Sequence, residues 1–277
     1  MTPPSVIDRR ALAELMTDEE RRFVELHPRS AELAASGRRH LLAGVPMPWM
    51  TRWPGGFPVH VAAADGARFV DVDGIEYVDF CLGDTGAMTG HGTVGLAALA
   101  DRSTTMLPSE DAAWVADELH RRFGMPKWQL TTSATDANRF VLRFARHLTG
   151  RPKICVMDWC YHGTVDETLA VLGAGGAVVS RPGAIGPQVD PALTTRVVPF
   201  NDLEALDRAL AHGDVAALLM EPALTNIGIV LPEPGYHDAV RAIARRHGVI
   251  LIIDETHTIS AGPGGCTRAW GLDPDIV

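Results

Sequence analysis

Lysine is almost missing from this 277-residue chain: Lys127 and Lys153 are the only two, and arginine supplies the rest of the 25 basic residues. Chemistry that needs a lysine side chain therefore has two candidates within these residues. Cysteine is also scarce, at positions 81, 155, 160 and 266, with neither the spacing of a zinc site nor that of a disulfide framework. Reduced thiols are expected. No run of 18 apolar residues occurs, which excludes a conventional helical membrane span. Met1-Thr2-Pro3-Pro4 leads into charged residues without an apolar core segment, so no secretory signal is expected and a cytoplasmic location is. Basic residues are outnumbered by 34 acidic ones, and a net charge of −9 argues against general nucleic-acid or anionic-membrane binding.

What remains is a globular composition, 46% apolar and 21% charged, long enough for one large domain or two smaller ones. Thr17-Asp18-Glu19-Glu20 has the form of a capping box and predicts a helix start, with Pro28 breaking or restarting the helix. Gly44 to Pro58 reads as irregular. Val59–Ala64, Ala67–Val72 and Glu76–Phe80 read as short strands, with a turn at Asp73-Gly74, giving a β-meander. From Ser109 the pattern alternates. Helices are expected from Ser109 to Phe123, Ala134 to Leu148, after a cap at Asn201, and Gly235 to His247. Strands are expected at Lys127–Thr132, Lys153–Asp158, Thr195–Pro199, Val215–Met220 and Val249–Ile253. Strands and helices of this length in alternation imply an α/β fold, a mostly parallel sheet with helices on both faces. The Gly/Ala/Pro-rich stretch from Leu172 to Pro191 reads as a long loop.

Four segments deliver polar or aromatic groups to the C-terminal ends of these strands, where ligands bind in open α/β sheets. Ser133-Ala134-Thr135 open a helix, an anion site or an ordinary N-cap. Trp159-Cys160-Tyr161-His162-Gly163 follow the next strand, and an aromatic ring there could stack on a flat cofactor or simply cover the core. Cys155, Cys160 and His162 have zinc-ligand chemistry, but cysteines within a strand do not converge, so no metal is expected. Glu221-Pro222 with Asn226 suit a polar ligand or a solvated loop. Asp254-Glu255 follow the apolar run Val249–Ile253, with His257 close behind. A buried, unpaired Asp254 is costly, and a cationic ring nitrogen would relieve that cost; a structural Asp bonded to backbone is the alternative. Gly173-Ala174-Gly175-Gly176 is no dinucleotide fingerprint, because its third glycine is misplaced.

These residues together resemble a known family. Asp71-Val72-Asp73-Gly74 with Tyr77-Val78-Asp79, Gly90-His91-Gly92, Thr149-Gly150-Arg151 through Gly163, Glu221-Pro222 with Asn226-Ile227-Gly228, Pro232-Glu233-Pro234-Gly235-Tyr236, and Asp254-Glu255 are similar to the class III aminotransferases of PLP fold type I, in particular the branch that includes glutamate-1-semialdehyde 2,1-aminomutases. The resemblance covers roughly residues 20 to 277. It implies the large domain of a pyridoxal 5'-phosphate (PLP)-dependent transferase, with a seven-stranded type of sheet, incomplete here at its C-terminal end, over residues 59–277, and an N-terminal segment, 1–58, contributing to a small domain and the site entrance. It implies amino transfer or internal amino migration on an amino acid, with a keto acid or amino-aldehyde, in a homodimer. By position, Asp254 would meet the pyridine nitrogen, Tyr161 would stack on the ring, and Ser133, Ala134 and Thr135 would hold the phosphate. His162, Glu221, Asn226 and His257 would complete the cofactor site, and Arg52 would take the substrate carboxylate. Ala134 stands where the family pattern has Gly, and Asp136 where Glu is common. The Schiff-base lysine of the family lies a few residues beyond Asp-Pro-Asp-Ile-Val, and neither Lys127 nor Lys153 matches it. The chain is therefore expected to stop before that lysine and before the C-terminal small domain, and to be inactive by itself. The alternative is a catalytically inactive PLP-binding or interaction protein of the same fold.

Overall fold

A computed structural model describes residues 7–52, 55–81, 83, 86–92, 109–186 and 189–277. Two compact units divide the chain, Met1–Thr104 and Thr105–Val277. The division falls later than the 58/59 boundary drawn from the sequence, because the meander belongs with the N-terminal helices.

In the first unit, α1 (Arg9–Leu26) and α2 (Pro28–Gly37) precede an antiparallel sheet of β1 (Val61–Asp65), β2 (Arg68–Asp71) and β3 (Glu76–Val78). Helix α1 starts earlier than the Thr17 capping pattern predicts. Asp8 is the cap, accepting from the backbone N–H groups of Arg10 and Ala11, while the Thr17 hydroxyl donates back to the Ala13 carbonyl inside the helix. Pro28 does restart the helix, at the first position of α2, where its missing N–H costs nothing. Buried polar groups join helices to meander. His27 Nε2 lies 2.7 Å from the Tyr77 hydroxyl, which donates to Asp71 at 2.9 Å, and the Asp73 carboxylate accepts from the N–H groups of Arg29 and Ser30. Of the stretch read as irregular, Trp53 and Pro54 lie outside the described residues.

In the second unit, α3 (Glu110–Phe123) and α4 (Ala134–Thr149) precede a parallel sheet of β4 (Lys153–Met157), β7 (Thr195–Val198), β8 (Val215–Met220) and β9 (Ile250–Ile253), in the order β7-β4-β8-β9. Helix α5 (Leu203–Leu210) joins β7 to β8, and α6 (Tyr236–His247) joins β8 to β9. All six residues of β8 are buried, as a central strand covered on both faces requires. The helices bury spaced residues: Asn138, Leu142 and Ala145 on α4, and Tyr236, Val240, Ile243 and Ala244 on α6. At the N-terminal edge, the Arg151 guanidinium donates to the carbonyls of Val215, His247 and Gly248.

Three local expectations give way. Lys127–Thr132 forms no strand and pairs with none among the described residues, which hold four strands of the parallel sheet. The helix after β7 is capped by Asp202, which accepts from the Ala205 N–H; Asn201 instead adopts φ +67° and bonds to Leu231 and Glu233. The long loop contains an antiparallel hairpin of β5 (Ala170–Leu172) and β6 (Val178–Ser180). Its alternation is too short to stand out among glycines.

The strand order carries a functional consequence. The chain leaves β4 toward β7 on one side, and leaves β8 toward β9 on the other. The C-terminal ends of the neighbours β4 and β8 are therefore a topological switch point, where open α/β sheets form a crevice that binds ligands.

Candidate functional site

The loops that flank this crevice carry Tyr161 and His162 after β4, and Glu221 and Thr225 after β8; Asp254 ends β9. Asp254 is 9% exposed and His162 is 2% exposed, with His162 Nδ1 at 2.8 Å from Asp254 Oδ2. Asn138, on α4, donates to the same oxygen at 2.9 Å and to the His162 carbonyl at 3.1 Å. The other oxygen, Oδ1, accepts from the Thr256 backbone N–H at 2.9 Å and the Thr256 hydroxyl at 2.6 Å. Asp254 is thus buried but not unpaired, contrary to the condition posed from the sequence. Only one of its four donors is a main-chain amide.

Charge follows from this geometry. Burial alone would raise the Asp254 carboxyl pKa, but the His162 imidazole and the Thr256 donors outweigh it and hold the group far below the usual carboxylate range. Burial likewise opposes a charge on His162, yet the Cys160 sulfur and the Asp254 carboxylate raise its pKa well above that of a free imidazole. The pair is a buried imidazole–carboxylate hydrogen bond whose surroundings favour a proton on His162 and a charge on Asp254. The second imidazole nitrogen, Nε2, is buried without a hydrogen-bond partner among the described residues.

A second polar set lies on the loops that follow β4, β8 and β9. Glu221, 2% exposed, accepts from the Tyr161 N–H at 3.4 Å and from the Thr225 hydroxyl at 2.5 Å. That hydroxyl also lies 2.7 Å from His257 Nδ1. Thr225 therefore joins Glu221 to His257, a link the sequence reading did not single out. Asn226 is exposed and reaches this set only through a 3.4 Å contact with the Thr225 hydroxyl. Tyr161 is 40% exposed.

Ser133 is the N-cap of α4, its hydroxyl accepting from the Asp136 N–H at 3.1 Å. Ala134 is a regular helical residue and exposed, so its methyl needs no glycine-like backbone. Thr135 packs on the loop after β4: its hydroxyl accepts from the Thr164 N–H at 3.3 Å. Gly163, at φ +79°, has no room for a side chain, because a Cβ would strike the Thr135 hydroxyl. Ala134, Asn138, Asp254 and Thr256 line a cavity of about 380 Å³, which Tyr161, Glu221 and His257 do not border.

Glu255 has a different task. Its buried carboxylate accepts from the N–H groups of Cys266 and Thr267 in the first turn of α7 (Gly265–Ala269), and from the hydroxyls of Thr258 and Thr267. It anchors the loop that follows Asp254. Neither lysine joins the site: Lys153 starts β4 at the opposite edge and donates to the Ala192 carbonyl at 2.9 Å, and Lys127 lies in the irregular segment before α4. Arg52 ends a short 3-10 helix, Pro48–Arg52, in the first unit.

A family model for class-III aminotransferases matches residues 50–277. The chain belongs to that family. It is 35% identical over 263 residues to a glutamate-1-semialdehyde 2,1-aminomutase from Symbiobacterium thermophilum, covering 91% of this chain and 60% of the relative. A crystal structure of a glutamate-1-semialdehyde aminomutase from Pseudomonas aeruginosa PAO1 superposes with a TM-score of 0.94 at 54% identity, covering 97% of this chain and 60% of that one. A lysine-to-alanine variant of a glutamate-1-semialdehyde aminomutase from the same organism was solved in complex with PMP. An omega-transaminase from Sphaerobacter thermophilus is similar at 31% identity and a TM-score of 0.80, over 89% of this chain and 59% of that one. The chain spans about 60% of the length of the relatives it matches.

Proposed function

We propose that the crevice holds PLP and that the whole protein is an aminotransferase or aminomutase acting on an amino acid with a keto acid or amino-aldehyde. The observation that carries this reading is the buried Asp254 carboxylate at the C-terminal edge of the sheet, held by His162 at 2.8 Å. A carboxylate held ionised in a buried site favours a cationic partner, and a pyridinium N–H is one. Such a ring, when bound, supplies an electron sink for bond breaking at the substrate carbon next to nitrogen.

The residues fit that group. Asp254 keeps a negative charge at neutral pH and so would hold a proton on the ring nitrogen. Its four acceptor positions are filled, and the Thr256 hydroxyl is the donor that leaves by simple rotation, so a ring N–H takes that place. His162 and Asn138 keep the carboxylate oriented. Tyr161 offers a half-exposed ring face for stacking. The first turn of α4 offers backbone N–H groups to a phosphate. His257, Thr225 and Glu221 form a hydrogen-bonded set beside it, with Asn226 at its rim. Arg52 is assigned the substrate carboxylate, on family resemblance. A homodimer and a cytoplasmic location belong to the same proposal and rest on family membership.

A second reading, a protein that binds PLP without turning over substrate, is favoured by one observation: neither lysine of these residues accompanies Asp254. One experiment separates them. PLP is titrated into the full-length protein, followed by borohydride reduction and mass analysis. A saturable absorbance band with a fixed cofactor mass supports the enzyme. A saturable band without fixed mass supports the inert binder, and no band refutes both.

A further inference from the structure

Arg181 follows β6, and its guanidinium carbon lies 5.7 Å from the Trp159 ring centre and 5.9 Å from that of Tyr161. One of its nitrogens, Nη1, donates to the Cys160 carbonyl. Arg181 is thus fixed to the same turn that presents Tyr161 to the crevice, on three sides at once. That turn is itself unusual: Trp159 adopts φ +61°, a conformation that bulky side chains rarely take and that the surroundings must enforce.

Arg181 is partly buried, and no carboxylate pairs with it among the described residues. Of the other partly buried arginines of this unit, Arg146 pairs with Glu167, Arg196 with Asp214 and Arg241 with Asp275, while Arg151 donates to three main-chain carbonyls instead, against one for Arg181. A guanidinium has five N–H donors in a planar fork that matches a carboxylate. The Cys160 carbonyl takes one donor direction, and the flanking rings leave the charge without an anion. A half-desolvated, immobilised and unpaired guanidinium beside the stacking tyrosine is built to receive an anionic group.

We propose that Arg181 binds a carboxylate of the substrate, making it a specificity residue for acidic amino donors or acceptors. This rests on the reading of the crevice as the PLP site. It assigns a carboxylate contact to the second unit, independent of Arg52.

The test uses full-length protein loaded with PLP and two probes that differ by one carboxylate, 4-aminobutanoate and propylamine. Their dissociation constants are read from the cofactor absorbance change, and PLP affinity is measured separately. Arg181→Met is expected to weaken 4-aminobutanoate by about 10- to 100-fold, the loss of a charged hydrogen-bonded pair, while moving propylamine and PLP less than about threefold. Arg181→Lys should recover part of the loss, since it restores charge without the fork. Equal weakening of both probes overturns the proposal and leaves Arg181 as a prop for the two rings. An unchanged 4-aminobutanoate constant also overturns it. Wild-type protein that binds no PLP refutes the parent reading instead, a result distinct from either.

Discussion

Replacing His162 with Phe tests the buried pair directly. The ring keeps about the same shape but removes one of the two donors to Asp254 Oδ2 and the only countercharge paired with that carboxylate among the described residues. Asn138 and Thr256 still donate, so three of four hydrogen bonds survive. Loss of a hydrogen bond between charged groups costs about 1.5–3 kcal/mol. Breaking a buried ion pair by deleting one member typically costs about 3–5 kcal/mol, because the other charge stays buried. Since a neutral amide and a hydroxyl remain to solvate Asp254, the expected loss is about 3 kcal/mol at pH 7, near the lower end of that range. Urea denaturation followed by near-UV circular dichroism measures it. Adding Asp254→Asn to His162→Phe should restore at least half of the loss, because the stranded charge is gone. A loss under about 1 kcal/mol, or a double variant no more stable than His162→Phe, refutes the ion pair.

Other outcomes follow from the same geometry. Gly163→Ala should destabilise by about 1–3 kcal/mol, since it adds both a left-handed alanine and a clash with the Thr135 hydroxyl; Thr135→Ser should leave that loss in place, and Thr135→Ala should relieve part of it, as read by thermal denaturation. The pH dependence has a definite sign. The raised pKa of His162 contributes stability that is fully present below about pH 6.5 and is lost as pH rises through the folded value. The depressed pKa of Asp254 contributes stability present above about pH 3.9 and lost as pH falls through its folded value. Wild type should therefore lose more stability than His162→Phe between pH 6 and about pH 9; parallel urea midpoints across that range would contradict the assignment.

Much of this fold is legible in the chain because its central strands are wholly apolar. Val215–Met220 and Ile250–Ile253 can only be buried on both faces, and the helices between them follow. Segments with mixed signals read poorly. Lys127–Thr132 has strand-like composition, yet strand pairing is a tertiary event that local sequence does not report. Thr17-Asp18-Glu19-Glu20 mimics a cap within a helix that Asp8 already starts. At the site, the placement of Asp254, Tyr161 and Glu221 at strand ends is visible from strand boundaries alone. What those carboxylates bond to is not. Asn138, 116 residues from Asp254 along the chain, and Thr225, which bridges Glu221 to His257, emerge only when the sheet brings them together. Glu255, adjacent to Asp254, turns out to hold the first turn of α7. Arg181 gave no sequence signal, since one arginine in a Gly/Pro-rich stretch has no period or motif.

The central claim is that the Asp254 carboxylate holds a proton on the ring nitrogen of a bound PLP. The nitrogen-15 chemical shift of PLP labelled in its ring, bound to the full-length protein, reads that proton directly. The account predicts a protonated nitrogen from pH 6 through about pH 9 in the wild type, and a deprotonated one in Asp254→Ala at the upper end of that range. A neutral ring nitrogen in the wild type, or a shift that Asp254→Ala does not change, would contradict it.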